Sequence, residues 1–141
     1  MKTFKSAVLA FVLLTGIVAC APDKKEDPVS TPANTDDRDK YVGHWLCNEV
    51  SKVTGPTSYT INITKSSASS TEILIDHFYD LATTAKANVS GTSVTIPYQQ
   101  LGSFGFAAGS GTLSTATQLN LTYTTNISGN KDTCTASCVK Q

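Results

Sequence analysis

The chain has 141 residues, about the length of one domain. Its 11 basic and 11 acidic residues give a formal net charge of zero at pH 7, which argues against a general nucleic-acid-binding protein, because such proteins need an excess of Lys and Arg to neutralise phosphates. Serine and threonine are abundant and long runs of helix-forming residues are scarce, a composition typical of a small secreted β protein.

Residues 1–19 have the organisation of a secretory signal peptide. Lys2 and Lys5 make the start positively charged, and residues 7–14 form an unbroken apolar run. This run is far shorter than the roughly 20 residues that a membrane-spanning helix needs. The segment is therefore predicted to be removed from the mature protein, with cleavage before Cys20.

The end of this segment, Ile17-Val18-Ala19-Cys20, resembles the lipobox of bacterial lipoproteins. In that family the signal peptide is cleaved before the cysteine, whose sulfur receives a diacylglycerol and whose amino group is acylated. The resemblance implies that Cys20 is the lipidation site and that the membrane is a partner through this N-terminal anchor. Several acyl chains exceed the two signals that stable anchoring requires, so the mature protein would be tethered without spanning the bilayer.

Residues 20–40 are predicted to be the lipidated cysteine followed by a disordered acidic linker. The segment is rich in proline and in charged residues and has little to bury, so it cannot offset the entropy cost of ordering; at most a turn is expected at residues 36–40. Lys25-Glu26-Asp27 resembles a signal that sends some lipoproteins to the cell surface. We expect an outer-membrane lipoprotein, and both the periplasmic and the cell-surface face stay open.

Residues 41–141 alternate between apolar and polar side chains with a period of two, which predicts β-strands. In the clearest case, Leu119, Leu121 and Tyr123 alternate with polar residues. Glycine, proline and serine clusters separate eight predicted strands, near residues 42–51, 57–65, 71–79, 85–90, 92–98, 104–113, 117–126 and 132–140. The fold class is therefore all-β, and tight polar turns between the strands predict an antiparallel up-and-down barrel, whose closure removes both exposed edges.

The start of the first predicted strand, Gly43-His44-Trp45, resembles the Gly-x-Trp sequence of lipocalins and fatty-acid-binding proteins. In those families the Trp closes one end of the barrel and a basic residue of the last strand packs across its ring, which implies barrel-end closure by Gly43, Trp45 and Lys140. The chain also resembles small lipocalin-like lipoproteins of Gram-negative bacteria, which share a lipobox, an acidic linker and a Cys-x-Ala strand, here Cys134-Thr135-Ala136. It differs from true lipocalins in its short length and in lacking their second and third motifs.

Three cysteines remain once the lipobox cysteine is assigned, and an oxidising compartment permits one internal disulfide among them. Cys134 and Cys138 lie about 13 Å apart along one predicted strand, too far for a bond that needs Cα atoms within ~7 Å. In a closed eight-strand meander the first and last strands are neighbours, so Cys47 reaches either residue. We predict Cys47–Cys138, because the same register places Trp45 opposite Lys140; Cys47–Cys134 stays the alternative.

The interior of an eight-stranded barrel is just wide enough to be filled by side chains or to hold one small molecule. The predicted inward residues are bulky and are expected to fill most of it, so that binding would be shallow and near the open end. Glu49 is the acid predicted to point inward, where it would contact a polar ligand or sit at the mouth. The other inward predictions are Trp45, Tyr59, Ile61, Ile63, Ile73, Ile75, Val89, Val94, Ile96, Phe104, Phe106, Leu119, Leu121 and Tyr123.

The histidines do not form a catalytic or metal-binding pattern in the sequence. His44 is expected outside the barrel, and His77 lies with Asp76 and Asp80 at a spacing that matches no known ligand set. The cysteines have no neighbouring cation that would activate a thiol. We therefore predict no catalytic residue, no metal, no cofactor and no enzymatic activity.

The expected function is a non-enzymatic binding or interaction module, for a small apolar or sugar-like ligand or for a protein partner. The protein is expected to act as a monomer without a nucleic-acid partner. The alternative is a protease-inhibitor-like or envelope-assembly protein, with a filled barrel and no small-molecule ligand. An inhibitor would have an ordered, protruding N-terminal segment or loop.

Overall fold

The computed structural model describes residues 35–141, so the lipobox, Cys20 and most of the expected linker lie outside the described residues. Eight strands form a closed barrel in which each strand pairs with the next and the first pairs with the last. The predicted all-β, antiparallel up-and-down fold is confirmed. The strands are β1 Gly43–Ser51, β2 Gly55–Lys65, β3 Glu72–Asp76, β4 Thr84–Ser90, β5 Ser93–Leu101, β6 Gly105–Thr115, β7 Gln118–Ile127 and β8 Asn130–Lys140.

The third strand is shorter than the predicted range 71–79. It ends at Asp76 because the backbone of His77 adopts a left-handed conformation (φ 61°), and Phe78–Asp80 then form a tight turn in which Tyr79 (φ 58°) and Asp80 (φ 53°) are left-handed as well. Residues 77–83, which connect β3 to β4, fold over one end of the barrel; we call this segment the lid. Phe78 is fully buried and its ring lies 4.6 Å from that of Tyr123. Within residues 35–141, no helix is long and apolar enough to span a membrane.

The last residues of the expected disordered linker are ordered against the opposite end of the barrel. Asp37–Lys40 form a 3₁₀ helix capped by Asp36, whose side chain accepts a hydrogen bond from the Arg38 amide at 3.0 Å. The Arg38 guanidinium also donates to the Ser66 carbonyl at 2.9 Å, and Lys65 Nζ lies 3.0 Å from Asp36 Oδ2. The turn expected at residues 36–40 is therefore present, and residues 35–40 are ordered where a disordered linker was expected, because their charges find partners on the barrel; the rest of the linker lies outside the described residues.

The core is a cluster of side chains that point inward from all eight strands. Twelve of the fourteen bulky inward predictions are buried there, and Glu49 is buried as well. Phe104 and Phe106 are the exceptions, each 38% exposed: Phe104 lies in the turn between β5 and β6, and Phe106 lies on the outer face of β6. A shift by one residue moves a side chain to the other face of a strand, and in β6 the inward positions are the odd-numbered ones, such as Ala107 and Leu113.

Candidate functional site

The inner face of β6 is nearly free of side-chain bulk. Gly109 and Gly111 pair with Tyr123 and Leu121 of β7, whose side chains occupy the space above them. A Cβ atom at Gly109 would lie 2.4 Å from the Tyr123 Cβ, and one at Gly111 would lie 2.5 Å from a Leu121 methyl carbon. Because real Cβ atoms do not approach so closely, these positions require glycine. The interior is therefore filled by β7, and β6 has no room to contribute aromatic rings.

A β-bulge in β5 directs a second aromatic ring outward. Val94 and Ile96 point into the barrel, and the pairing with β6 then shifts by one residue between Ile96 and Gln99. Pro97 lies within this bulge, which suits a residue that cannot donate a ladder hydrogen bond. Tyr98 would follow the inward phase in a regular strand, but it is 73% exposed. The bulge therefore places its ring on the outer surface.

The rings of Tyr98 and Phe106 stack against each other on this surface. Their centroids lie 5.2 Å apart and their planes are within 3° of parallel. Among the described residues, the exposed aromatic side chains are these two and Phe104, whereas the exposed large side chains of β1 and β8 are aliphatic. Exposed rings contribute little to the core, so their presence on one side of the barrel indicates a surface role.

The stacked pair forms one wall of an open groove of 530 Å³, which we call the aromatic groove. Its floor and far wall come from β6, β7 and β8. Two buried side-chain oxygens of β7 have no hydrogen-bond partner: Thr125 Oγ1, whose side chain follows the inward phase of the strand, and Asn126 Oδ1, whose residue lies opposite Lys131 on the outer face. The groove is lined by Tyr98, Phe106, Ala107, Ala108, Thr124, Thr125, Asn126, Lys131, Asp132 and Thr133. Apolar rings beside a few polar groups are the usual make-up of a small-molecule site.

Asp132 lines the aromatic groove, but its hydrogen bonds face the barrel interior. It is 5% exposed, and its two oxygens accept from backbone and side-chain donors of the β1–β2 turn, the lid and β8. Burial raises the pKa of this carboxyl, but the hydrogen bonds outweigh burial and lower the pKa to about 2. The donors are Ser51 Oγ, Lys52 N, Val53 N, Tyr79 OH, Thr133 N and Cys134 Sγ. Asp132 therefore fastens the lid and the neighbouring turn to the barrel.

Glu49 lies deeper inside, 2% exposed, as the sequence indicates. Its Oε2 accepts a hydrogen bond from Tyr59 OH at 2.5 Å and another from Tyr123 OH. Burial raises the pKa of both tyrosines above the usual range, and the hydrogen bonds to Glu49 raise them further, so both hydroxyls remain donors. The carboxylate is satisfied by the protein itself, which argues for a structural role in the filled interior.

Cys47 and Cys138 form a disulfide, so the predicted pairing is confirmed and the alternative Cys47–Cys134 does not form. Cys134 is a free, buried thiol opposite Ser51 of β1. Burial raises the pKa of Cys134 well above that of an ordinary thiol, and the nearby carboxylates raise it further. The thiol therefore stays protonated and is a poor nucleophile.

Gly43, Trp45 and Lys140 meet at the end of the barrel opposite the lid. Trp45 pairs with Lys140 across β1 and β8, and the Lys140 ammonium lies 5.3 Å from the centre of the indole ring. Gly43 has a φ of 129°, and a Cβ there would lie 3.3 Å from the Lys140 side chain. Trp45 Nε1 donates to the Tyr41 carbonyl at 2.7 Å, so the indole is fully satisfied. These contacts cover the core at this end.

The two histidines lie on the surface and apart from the aromatic groove. His44 is exposed on β1, and His77 is exposed at the start of the lid, beside a separate shallow groove that Asp76 also lines. Within residues 35–141, no group of three or more histidine, cysteine or acidic side chains is arranged to hold a metal ion.

The aromatic groove was not found from the sequence. Pro97 inside a predicted strand was the available signal for a bulge. Gly109 and Gly111, two residues apart, indicated that the odd-numbered positions of β6 face a crowded interior. Phe106, an even-numbered position, would then have been placed outside the barrel. Asp132 was missed because one acid in a polar strand does not reveal how many donors the fold will bring to it.

The comparisons with known proteins support the fold alone. No protein-family model matches the chain, and no curated protein matches it. Among solved structures, the chain is similar to EF1p2_mFAP2b bound to DFHBI, with a TM-score of 0.58 and 17% identity over 76% of this chain and 100% of the other. It is also similar to a redesigned β-barrel, b11L5F_LGL, with a TM-score of 0.56 and 13% identity over 77% and 97% of the two chains. At these identities the likeness defines a small antiparallel barrel and no function.

Proposed function

We propose that this protein is a lipid-anchored, non-enzymatic binding module that holds a sugar-like ring ligand in the aromatic groove. The observation that carries the proposal is that β6 directs glycines into the barrel, while β5 and β6 direct aromatic rings toward solvent. Glycines face the core at positions 109 and 111, whereas the stacked rings of Tyr98 and Phe106 face solvent. Folding alone does not require exposed rings, so a surface function explains them better.

The groove has the chemistry that a sugar-like ligand needs. The flat faces of aromatic side chains pack against the C–H face of a pyranose ring through dispersion and apolar burial. Hydroxyl groups at the edge of such a ring would accept from the side-chain amide of Asn126, which lies on the outer face opposite Lys131. The threonine hydroxyls of Thr124 and Thr133 line the same groove and would accept or donate further bonds.

A site on the outer wall is preferred to one inside the barrel. Trp45, Tyr123 and the isoleucines of β2 and β3 fill the interior, and Glu49 is already bonded to two tyrosines. Ligand binding is compatible with this fold, since the similar structure EF1p2_mFAP2b is bound to DFHBI. Residues 35–40 lie against the barrel instead of protruding, which favours a binding module over a protease inhibitor.

We further propose that the protein is anchored in the outer membrane through Cys20, on the strength of the lipobox resemblance alone. A Cys20→Ala variant should appear in the soluble fraction, whereas the unchanged protein should stay with membranes. A matched variant, Cys134→Ala, should leave membrane association unchanged. Continued membrane retention of the Cys20→Ala variant would refute the anchor.

The binding proposal is tested with the full chain in detergent micelles and a panel of methyl glycosides, by saturation-transfer difference NMR. Magnetisation should pass from the protein to the C–H face of at least one pyranoside. Phe106→Ser should remove the transfer. Phe104→Ser is the matched control, because Phe104 is equally exposed but does not line the groove. Absence of transfer to every glycoside, or equal loss in both variants, would refute the site.

A further inference from the structure

The polar edge of the aromatic groove indicates more about its ligand than a ring shape. Taking the proposed function as given, we infer that the groove selects a pyranose that carries a carboxylate, a hexuronate-like acidic sugar. The carboxylate would lie against the Lys131 ammonium, and a neighbouring ring hydroxyl would accept from the Asn126 side-chain amide.

Lys131 is the cation of the groove, and no acid of the described residues pairs with it. The ion pairs within residues 35–141 lie at the opposite end of the barrel, between Arg38, Lys40 and Lys65 and the acids of residues 36–39. Lys131 is exposed at the rim. Its charge is therefore available to an anion that enters the groove.

The carboxylate of Asp132 does not form an ion pair with Lys131. Asp132 lines the groove beside Lys131, but six donors already surround its two oxygens, and they lie on the inner side of the wall. Lys131 points outward, because adjacent residues of a strand face opposite sides. The groove thus presents a positive side chain to solvent, while the negative one is held within the barrel.

The spacing of the polar groups suits substituents on a single sugar ring. Asn126 and Lys131 are directly paired across β7 and β8, and side chains paired in this way start about 5 Å apart. Thr124 and Thr133 form the next outward pair along the same two strands. A pyranose packed against the ring of Phe106 can therefore present one hydroxyl and one carboxylate to the Asn126–Lys131 pair at the same time.

The test compares two ligands that share a ring and differ in one substituent: methyl β-glucuronide and methyl β-glucoside. Titration of the full chain in micelles should give a dissociation constant about twofold to fivefold lower for the glucuronide, as expected for one exposed ion pair. Lys131→Met should bring the two constants together without abolishing binding of the glucoside. Lys131→Arg should keep the preference, and Lys86→Met, on a different strand and outside the groove, should leave it unchanged.

The outcomes separate this inference from the proposed function. If neither glycoside binds, the proposed function fails together with the inference. If both bind equally, or if Lys131→Met retains the preference, the acidic-sugar inference is overturned while the ring-binding function stands. A preference that disappears in Lys131→Met and persists in Lys131→Arg supports the inference. The preference should also weaken as salt concentration rises, since an exposed ion pair is screened.

Discussion

The two faces of the barrel wall at β5 and β6 differ in a way that separates folding from function. The inner face is crowded: glycines at 109 and 111 leave room for Tyr123 and Leu121, and every large ring there is packed. The outer face carries the stacked pair Tyr98–Phe106 over an open groove. The same strands therefore present small residues where space is scarce and large apolar rings where burial is incomplete.

This difference has a direct consequence for mutations. A change on the inner face alters packing or a satisfied polar contact, so it should lower the free energy of unfolding. A change on the outer face removes little that holds the fold, so it should act on ligand binding.

The largest effect is expected for the disulfide that joins the first and last strands on the inner side. Replacing Cys47 and Cys138 by alanine removes a link between residues 91 apart. The chain-entropy model gives a loss of about 4–5 kcal/mol in the free energy of unfolding. Urea unfolding followed by the fluorescence of Trp45 measures it. Under conditions where the variant is still folded, glycoside binding should be unchanged; a loss below ~1 kcal/mol would show that the link contributes little.

Asp132→Asn should destabilise the barrel by about 2 kcal/mol, because hydrogen bonds to a charged acceptor are lost at a buried site. The amide also cannot accept from all of the donors that converge on the carboxylate. Thermal unfolding measures the loss. Asp80→Asn is the matched control, since Asp80 is exposed on the lid, and its effect should stay within ~0.5 kcal/mol.

The same carboxylate predicts a pH dependence. The pKa of Asp132 is about 2 in the folded protein, below the model-peptide value of 3.8. Its contribution to stability is therefore fully present above about pH 4 and is lost as the pH falls toward 2. The Asp132→Asn variant should not lose this stability at acid pH, so the difference in the free energy of unfolding between it and the unchanged protein should shrink between pH 5 and pH 2. A difference independent of pH would refute this role.

Gly109→Ala should cost about 1–3 kcal/mol, because the added methyl group meets the Tyr123 Cβ and the Thr122 carbonyl. Ser110→Ala is the control on the same strand, since Ser110 is exposed on the outer face. Chemical denaturation of both variants measures the difference. Equal stabilities would mean that β6 has more inner space than the structure shows.

The smallest effect on stability and the largest on binding are expected at the outer face. Tyr98→Ala should change the free energy of unfolding by no more than about 0.5–1 kcal/mol, the loss of one exposed ring pair. It should nevertheless abolish saturation transfer to the glycosides, because one wall of the groove is removed. A Tyr98→Ala variant that loses stability and still binds the glycosides would contradict the assignment of this ring to binding and not to folding.

The sequence was sufficient to predict the topology of the barrel and the disulfide that joins its first and last strands. Alternation with period two located every strand, and pairing the first strand with the last left two disulfides open; the resemblance to lipocalins, which asks for Lys140 opposite Trp45, favoured Cys47–Cys138. The sequence was insufficient at β5 and β6. A bulge in β5 changes which residues point inward, and in the glycine-rich β6 the face that points inward depends on the neighbouring strands. Phe106 was therefore assigned to the wrong face, and with it the groove was missed.

The central claim is that a ring ligand binds on the outer wall and not inside the barrel. Amide chemical shifts of the full chain, recorded while methyl β-glucuronide is added, test this claim most directly. We predict that the shifts change at Tyr98, Phe106, Thr124 and Lys131 and stay constant at Glu49, Tyr59 and the lid. Changes centred on Glu49, Tyr59 and the lid, with the outer wall unaffected, would contradict it.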